Sequence, residues 1–108
     1  MPSNLGEFEQ LVLLTLLRLG QGGYGVTVRQ ELARRAGRAV SLGTVYKTLL
    51  RLEAKGLVAA RIGEPTPERG GRRKKLYLVT PAGRRALERS LAALRKMSRG
   101  LDPAWQAP

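Results

Sequence analysis

The chain contains no cysteine and no histidine. Without cysteine there is no disulfide and no thiolate nucleophile; with both residues missing, neither a zinc finger nor a histidine acid–base pair can be built. Acidic residues are scarce too: eight Asp and Glu stand against twenty Lys and Arg. The carboxylates are scattered, mostly near helix ends, and no nucleophile–base pair accompanies them, so an enzyme is not expected. Long apolar runs are missing as well. The richest, residues 11–17, is interrupted by Thr15, bounded by Glu9 and Arg18, and too short to span a bilayer. Met1, Pro2, Ser3 and Asn4 lack the basic stretch of a secretory signal. The expectation is a cytoplasmic protein with no cofactor, no metal and no membrane partner.

What the chain has in excess is positive charge, a net of +12 on 108 residues. That length supports one core and not two. The charge is uneven. Residues 1–28 hold Arg18 against Glu7 and Glu9, so the whole excess lies beyond them. A polyanion is the natural partner for such an imbalance, although cations also serve solubility.

The most informative stretch begins at Gly63-Glu64-Pro65-Thr66-Pro67 and ends in Arg72, Arg73, Lys74 and Lys75. A cluster of loop breakers runs into four consecutive cations, with β-type sequence on both sides: residues 57–62 before it and 76–79 after it. That pattern predicts a β-hairpin with a long cationic tip. Upstream, Asn4 can cap a first helix in which Leu5, Phe8, Leu11, Val12, Thr15, Leu16 and Leu19 keep a helical spacing. Leu13, Leu14 and Leu17 widen its apolar stripe to most of the circumference, so this helix must be covered on more than one side. Thr27 is the expected N-cap of a second helix, with Gln30 completing a capping box and Gly37 ending it. Ser41 caps a third helix over residues 42 to about 55, with Val45, Leu49 and Leu52 inward and Gly56 as its stop. Thr80 and Pro81 open a last helix carrying Leu87, Leu91, Leu94 and Met97. The fold class is therefore mainly α with a small β-hairpin, a winged helix-turn-helix in the order α-α-α-β-β-α. Residues 1–80 form the winged-helix unit, residues 81–100 a C-terminal helix packing on it and dimerising, and residues 101–108 a tail with Trp105.

In a helix-turn-helix the second helix of the motif lies in the major groove, its first turns against the base edges. Here those turns expose Gly43, Thr44, Tyr46 and Lys47. Thr44 can donate, accept or offer its methyl to thymine, and Gly43 allows close backbone approach. Lys47 can reach a guanine edge or a phosphate, while Arg51, one turn on, faces backbone. Tyr46 suits either groove contact or half-buried packing. Strand alternation puts Arg73 and Lys75 on one face of the hairpin, Arg72 and Lys74 on the other. These cations either meet phosphates or guard an exposed strand edge. Tyr24, Thr27 and Arg29 surround the start of helix 2, where backbone amides suit a phosphate; a core role for Tyr24 is equally open. Leu87, Leu91 and Leu94, with Leu5, Phe8 and Val12 of helix 1, are the candidate dimer interface.

With these residues in view, the chain resembles the PadR family of bacterial transcriptional regulators. The matching segments are Leu5-Gly6-Glu7-Phe8-Glu9, Tyr24-Gly25 and Ser41-Leu42-Gly43-Thr44-Val45-Tyr46. A longer match over residues 49–80 includes Gly70-Gly71-Arg72-Arg73-Lys74 and leads into Pro81 and Gly83. The resemblance implies a dimeric repressor that releases duplex DNA when an inducer or stress signal arrives. It marks Tyr24, Ser41, Thr44, Tyr46 and Lys47 as leading DNA contacts, with Arg72 and Lys74 from the wing. It also implies the short-tailed branch of the family and leaves the identity of any small-molecule inducer open. The competing expectation is a non-specific architectural or ribosome-associated nucleic-acid-binding protein, which would draw on the same charge.

Overall fold

The computed structural model describes residues 5–65 and 73–103. Along the chain run α1 (Glu7–Leu19), a 3-10 turn (Gly20–Gly22), α2 (Gly25–Ala36), α3 (Leu42–Ala54), β1 (Val58–Pro65), β2 (Arg73–Val79) and α4 (Pro81–Ser98). This is the expected α-α-α-β-β-α winged helix. Asn4, the expected first cap, lies outside the described residues, and Gly6 occupies the cap position, its N–H donating to Glu9 Oε1 at 3.0 Å.

Helix α1 is the hub. Val12, Leu13 and Leu16 are sealed from solvent, and Phe8, Leu11, Leu14, Leu17 and Leu19 pack against the same core. From α2 come Val28 and Leu32, and from α3 Val45, Leu49 and Leu52, the inward set that the periodicity predicts. Thr48 joins them, its hydroxyl satisfied by the Thr44 carbonyl at 3.1 Å. The core tyrosine is Tyr77, 1% exposed, where Tyr24 and Tyr46 had been the candidates. Leu5, Val12 and Leu87, assigned to a subunit interface, lie in the chain's own core, because α1 needs apolar cover all round and the wing and α4 supply it. Ala36, in the last turn of α2, is exposed.

The hairpin is antiparallel, with Val58 opposite Val79, Ala60 opposite Tyr77 and Ile62 opposite Lys75. The register slips between Ile62 and Pro65, where proline cannot donate to the ladder. Its base is tied to the helical layer by Tyr77 N–H, which donates to the Gly23 carbonyl at 2.8 Å. Helix α4 is clasped to the α3–β1 turn. Thr80 Oγ1 accepts from Gly83 N–H at 3.0 Å and donates to the Gly56 carbonyl at 2.8 Å. A Cβ on Gly83 would lie 2.1 Å from the Leu57 carbonyl oxygen, so only glycine permits this approach.

A partly buried ion pair pins the start of α1 to the end of α3. Glu9, near the start of α1, meets Lys55, at the end of α3, with Nζ 2.9 Å from Oε2. Burial opposes the Glu9 charge, but the Gly6 amide, the Lys55 ammonium and the field of Arg51 outweigh it and hold the carboxyl below its ordinary 4.5. Because the folded value is depressed, the pair's contribution is complete above the unfolded value and is lost as pH falls through the folded one. Glu9→Gln should cost about 2 kcal/mol at neutral pH by leaving a partly buried ammonium unpaired. Acid titration of stability, followed by circular dichroism, should show a shallower loss below about pH 4.5 in the variant than in the parent.

Candidate nucleic-acid interface

The start of α3 is organised by its cap. Ser41 Oγ accepts from Thr44 N–H at 3.1 Å and lies 2.9 Å from Thr44 Oγ1, so the two hydroxyls hold one another in place on the surface. Gly43, Thr44, Tyr46, Lys47 and Arg51 are all exposed, as expected of a face turned away from the core. Leu50 shares that face at 54% exposure and formed no part of the expectation.

Helix α2 begins three residues earlier than the sequence implies. Tyr24, not Thr27, is the cap residue, with extended backbone and no side-chain cap bond. Thr27 is instead the third residue of the helix. It accepts from Tyr24 N–H at 3.1 Å and has the Gly22 carbonyl within 2.6 Å, so its hydroxyl is consumed in holding the turn. Threonine here builds the far half of the capping box, so the box is Tyr24 with Thr27, three residues upstream of Thr27 with Gln30. Arg29, expected near a phosphate, reaches the Val40 carbonyl at 3.1 Å and braces the α2–α3 turn.

The wing base joins this surface through tyrosine. Lys74 Nζ lies 3.1 Å from Tyr24 Oη and 4.4 Å from the centroid of its ring, a cation–π arrangement. Tyr24 is accordingly partly buried, neither a full core residue nor a free one. The next residue, Gly25, is overlaid by the tip of Tyr46: a Cβ there would come 2.5 Å from both Cζ and Oη. Lys74, Tyr24, Gly25 and Tyr46 thus link β2, the start of α2 and the face of α3. Lys75 points elsewhere, 3.7 Å from Glu53 and over the Tyr77 ring at 5.5 Å, which agrees with strand alternation. Tyr77 and then Glu53 raise its ammonium above the ordinary value, so it keeps its charge. Arg73 is a strand residue opposite Pro65. Arg72 lies outside the described residues.

At the other end of the molecule, α4 runs beyond its own core. Leu91 is partly buried, whereas Leu94 and Met97 are 59% and 79% exposed. With Leu101 they line an open groove of about 400 Å³, bordered by Arg95 and Ser98. The apolar surface therefore sits further along α4 than Leu87, and the spacing of Leu94, Met97 and Leu101 is the signal that points to it. Among the described residues, no cluster of acidic side chains could hold a metal ion, and no helix is long and apolar enough to cross a membrane.

Against known proteins, the family model described as the transcriptional regulator PadR-like family matches residues 13–89. The chain belongs to that family. It is 42% identical over 78 residues to the transcriptional regulator Rv3488 of Mycobacterium tuberculosis, an alignment covering 70% of this chain and 66% of the relative's length. A PadR family transcription regulator from Clostridium difficile shares the fold, with a TM-score of 0.70 at 24% identity, covering 87% of this chain and 93% of that one. BpsR of Bordetella bronchiseptica, whose DNA binding is regulated by 6-hydroxynicotinic acid, superposes with a TM-score of 0.61 at 26% identity over 96% of this chain and 73% of its own. In the winged-helix architecture these proteins share, β1–β2 is the wing, and the present geometry joins it to α3 through Tyr24 and Tyr46.

Gly25→Ala should keep the fold of this PadR-like chain, because the obstructing atoms are the far end of one side chain. Its melting temperature should move by no more than about 5 °C. The Tyr46 ring should be displaced, shifting its aromatic NMR signals while those of Tyr77 stay in place.

Proposed function

We propose that this chain is a homodimeric, sequence-specific repressor of transcription that binds duplex DNA with α3 in the major groove and the β1–β2 wing on the phosphate backbone. The observation that carries the reading is the shared surface of the exposed α3 face and the wing base, joined through Tyr24 and Tyr46. Thr44 and Lys47 stand where base edges would be met, and Arg51 lies one turn further along for a phosphate. Ser41 stands exposed at the α3 cap beside Thr44, and the hydroxyls of Tyr24 and Tyr46 border the start of α2. Thr27 serves by holding that turn. Lys74, with Arg72 on the same face by strand alternation, supplies charge from the wing, and Arg73 adds charge from the other face. Repression requires only that the promoter be occupied, and the reading carries a cytoplasmic location with it.

Dimerisation through α4 follows from its uncovered apolar end. Leu91, Leu94, Met97 and Leu101 form a surface of a kind that a monomer rarely leaves exposed, and a second copy offers a matching one. The groove's volume also falls within the range of small-molecule sites. A low-molecular-weight inducer, in the manner of the BpsR effector, would act there by altering how two α4 helices meet.

The test is fluorescence anisotropy with the chain's own upstream region and a scrambled duplex, at about physiological salt. Lys47→Ala should weaken binding to the native duplex more than to the scramble. Lys74→Ala should weaken both about equally and lower the salt slope by about 1. If both variants lose the same on both duplexes, the net charge of +12 would favour the architectural reading. Leu94→Glu should yield monomers by light scattering and reduce affinity for a two-half-site duplex by about a hundredfold; a variant that stays dimeric would remove α4 as the interface.

A further inference from the structure

The exposed face of α3 is not uniformly polar. Its inward positions are complete without Leu50: Val45, Thr48, Leu49 and Leu52 are all buried, and Leu42 is partly so. Leu50 stands outward at 54% exposure, flanked by the cationic Lys47 and Arg51. Helical geometry puts it on one line with the candidate base readers. Gly43, Tyr46, Lys47 and Leu50 occupy positions i, i+3, i+4 and i+7, the same spacing at which a homeodomain recognition helix presents its base-contacting residues in the major groove. From Gly43 to Leu50 the helix rises about 10 Å, the length of roughly three base pairs.

A lone exposed leucine elsewhere on a surface needs no explanation. In the middle of a cationic face that would lie against DNA it has a specific consequence. It can form no hydrogen bond, so it cannot read a donor or an acceptor. It also cannot be left facing a polar base edge without cost, since that edge would lose water and gain nothing. The one apolar group in the major groove is the 5-methyl of thymine. Resting on the proposed DNA-binding role, we infer that Leu50 is a specificity-determining residue, selecting a thymine by packing its isobutyl group on the 5-methyl about two turns into α3. Thr44 and Lys47 would read hydrogen-bonding edges while Leu50 reads shape and apolarity, which favours T over C at that step.

The experiment first selects a duplex from a randomised pool with the wild-type chain, then replaces its thymines one at a time by deoxyuridine. That change removes the methyl and leaves every hydrogen-bonding group in place. The expected result is one thymine per half-site whose replacement weakens wild-type binding about fourfold, the worth of one buried methyl. Leu50→Ala, at a position the core does not use, should keep the wild-type circular dichroism spectrum and bind both versions of the duplex equally. Two outcomes would overturn the inference while leaving DNA binding intact: no thymine matters to the wild-type chain, or Leu50→Ala keeps the same deoxyuridine penalty. If selection returns no preferred sequence, the sequence-specific reading fails, and the role of Leu50 fails with it.

Discussion

Everything in this small protein is arranged around the need to cover α1 on all sides. A helix with leucines on most of its circumference cannot rest against one neighbour, because each uncovered leucine forgoes about 2 kcal/mol of burial. Helices α2 and α3 cover part of it, the base of the wing another part through Tyr77, and α4 contributes Ala86 and Leu87. The orientation of α3 and the wing follows from that packing. With Val45, Thr48, Leu49 and Leu52 committed to the core, α3 has no choice about which side it turns outward.

A few polar bonds convert this packing into a defined geometry. Glu9 and Lys55 fix the end of α3 against the start of α1, and the Tyr77–Gly23 bond sets the wing base against the turn before α2. Thr80 and Gly83 close α4 onto the α3–β1 turn. The same turn thus ends α3, starts the wing and receives α4. A shift of α4, as on joining or leaving a second subunit, would press directly on the element that positions α3. That shared anchor gives a route by which events at the apolar end of α4 could reach the proposed DNA-binding face.

The candidate interface combines exposed charge with tethered charge. Lys47 and Arg51 sit on exposed stems suited to phosphates or base edges, whereas Lys74 is held over Tyr24 and Tyr46 rests on Gly25. Such tethering lowers the conformational entropy that binding must remove. Charge of this kind gives affinity and positioning to a regulator; sequence choice has to come from the few side chains able to meet base edges.

Much of this architecture was legible in the residues themselves. Turn chemistry and apolar spacing implied the element order, and Ser41, Gly37 and Thr80-Pro81 marked true helix boundaries because capping is a local matter of backbone donors and acceptors. The outward face of α3 was legible for the same reason: once Val45, Leu49 and Leu52 point inward, the rest is geometry. Other features depended on partners distant in the chain. Nothing local distinguishes Tyr77 from Tyr24 and Tyr46, yet one is the core tyrosine, one is partly buried and one is exposed, since that depends on which element folds over each ring. The Glu9–Lys55 pair, the seat of Tyr46 on Gly25 and the capture of Lys74 by Tyr24 join residues far apart in sequence. The sequence by itself determined the elements, their caps and the sign of the surface charge, all of which follow from interactions within a few residues. Only the tertiary structure decided which apolar side chains the core would claim, taking Leu5, Val12 and Leu87 and leaving Leu50, Leu94 and Met97 outside, because burial depends on how much space the packed elements leave.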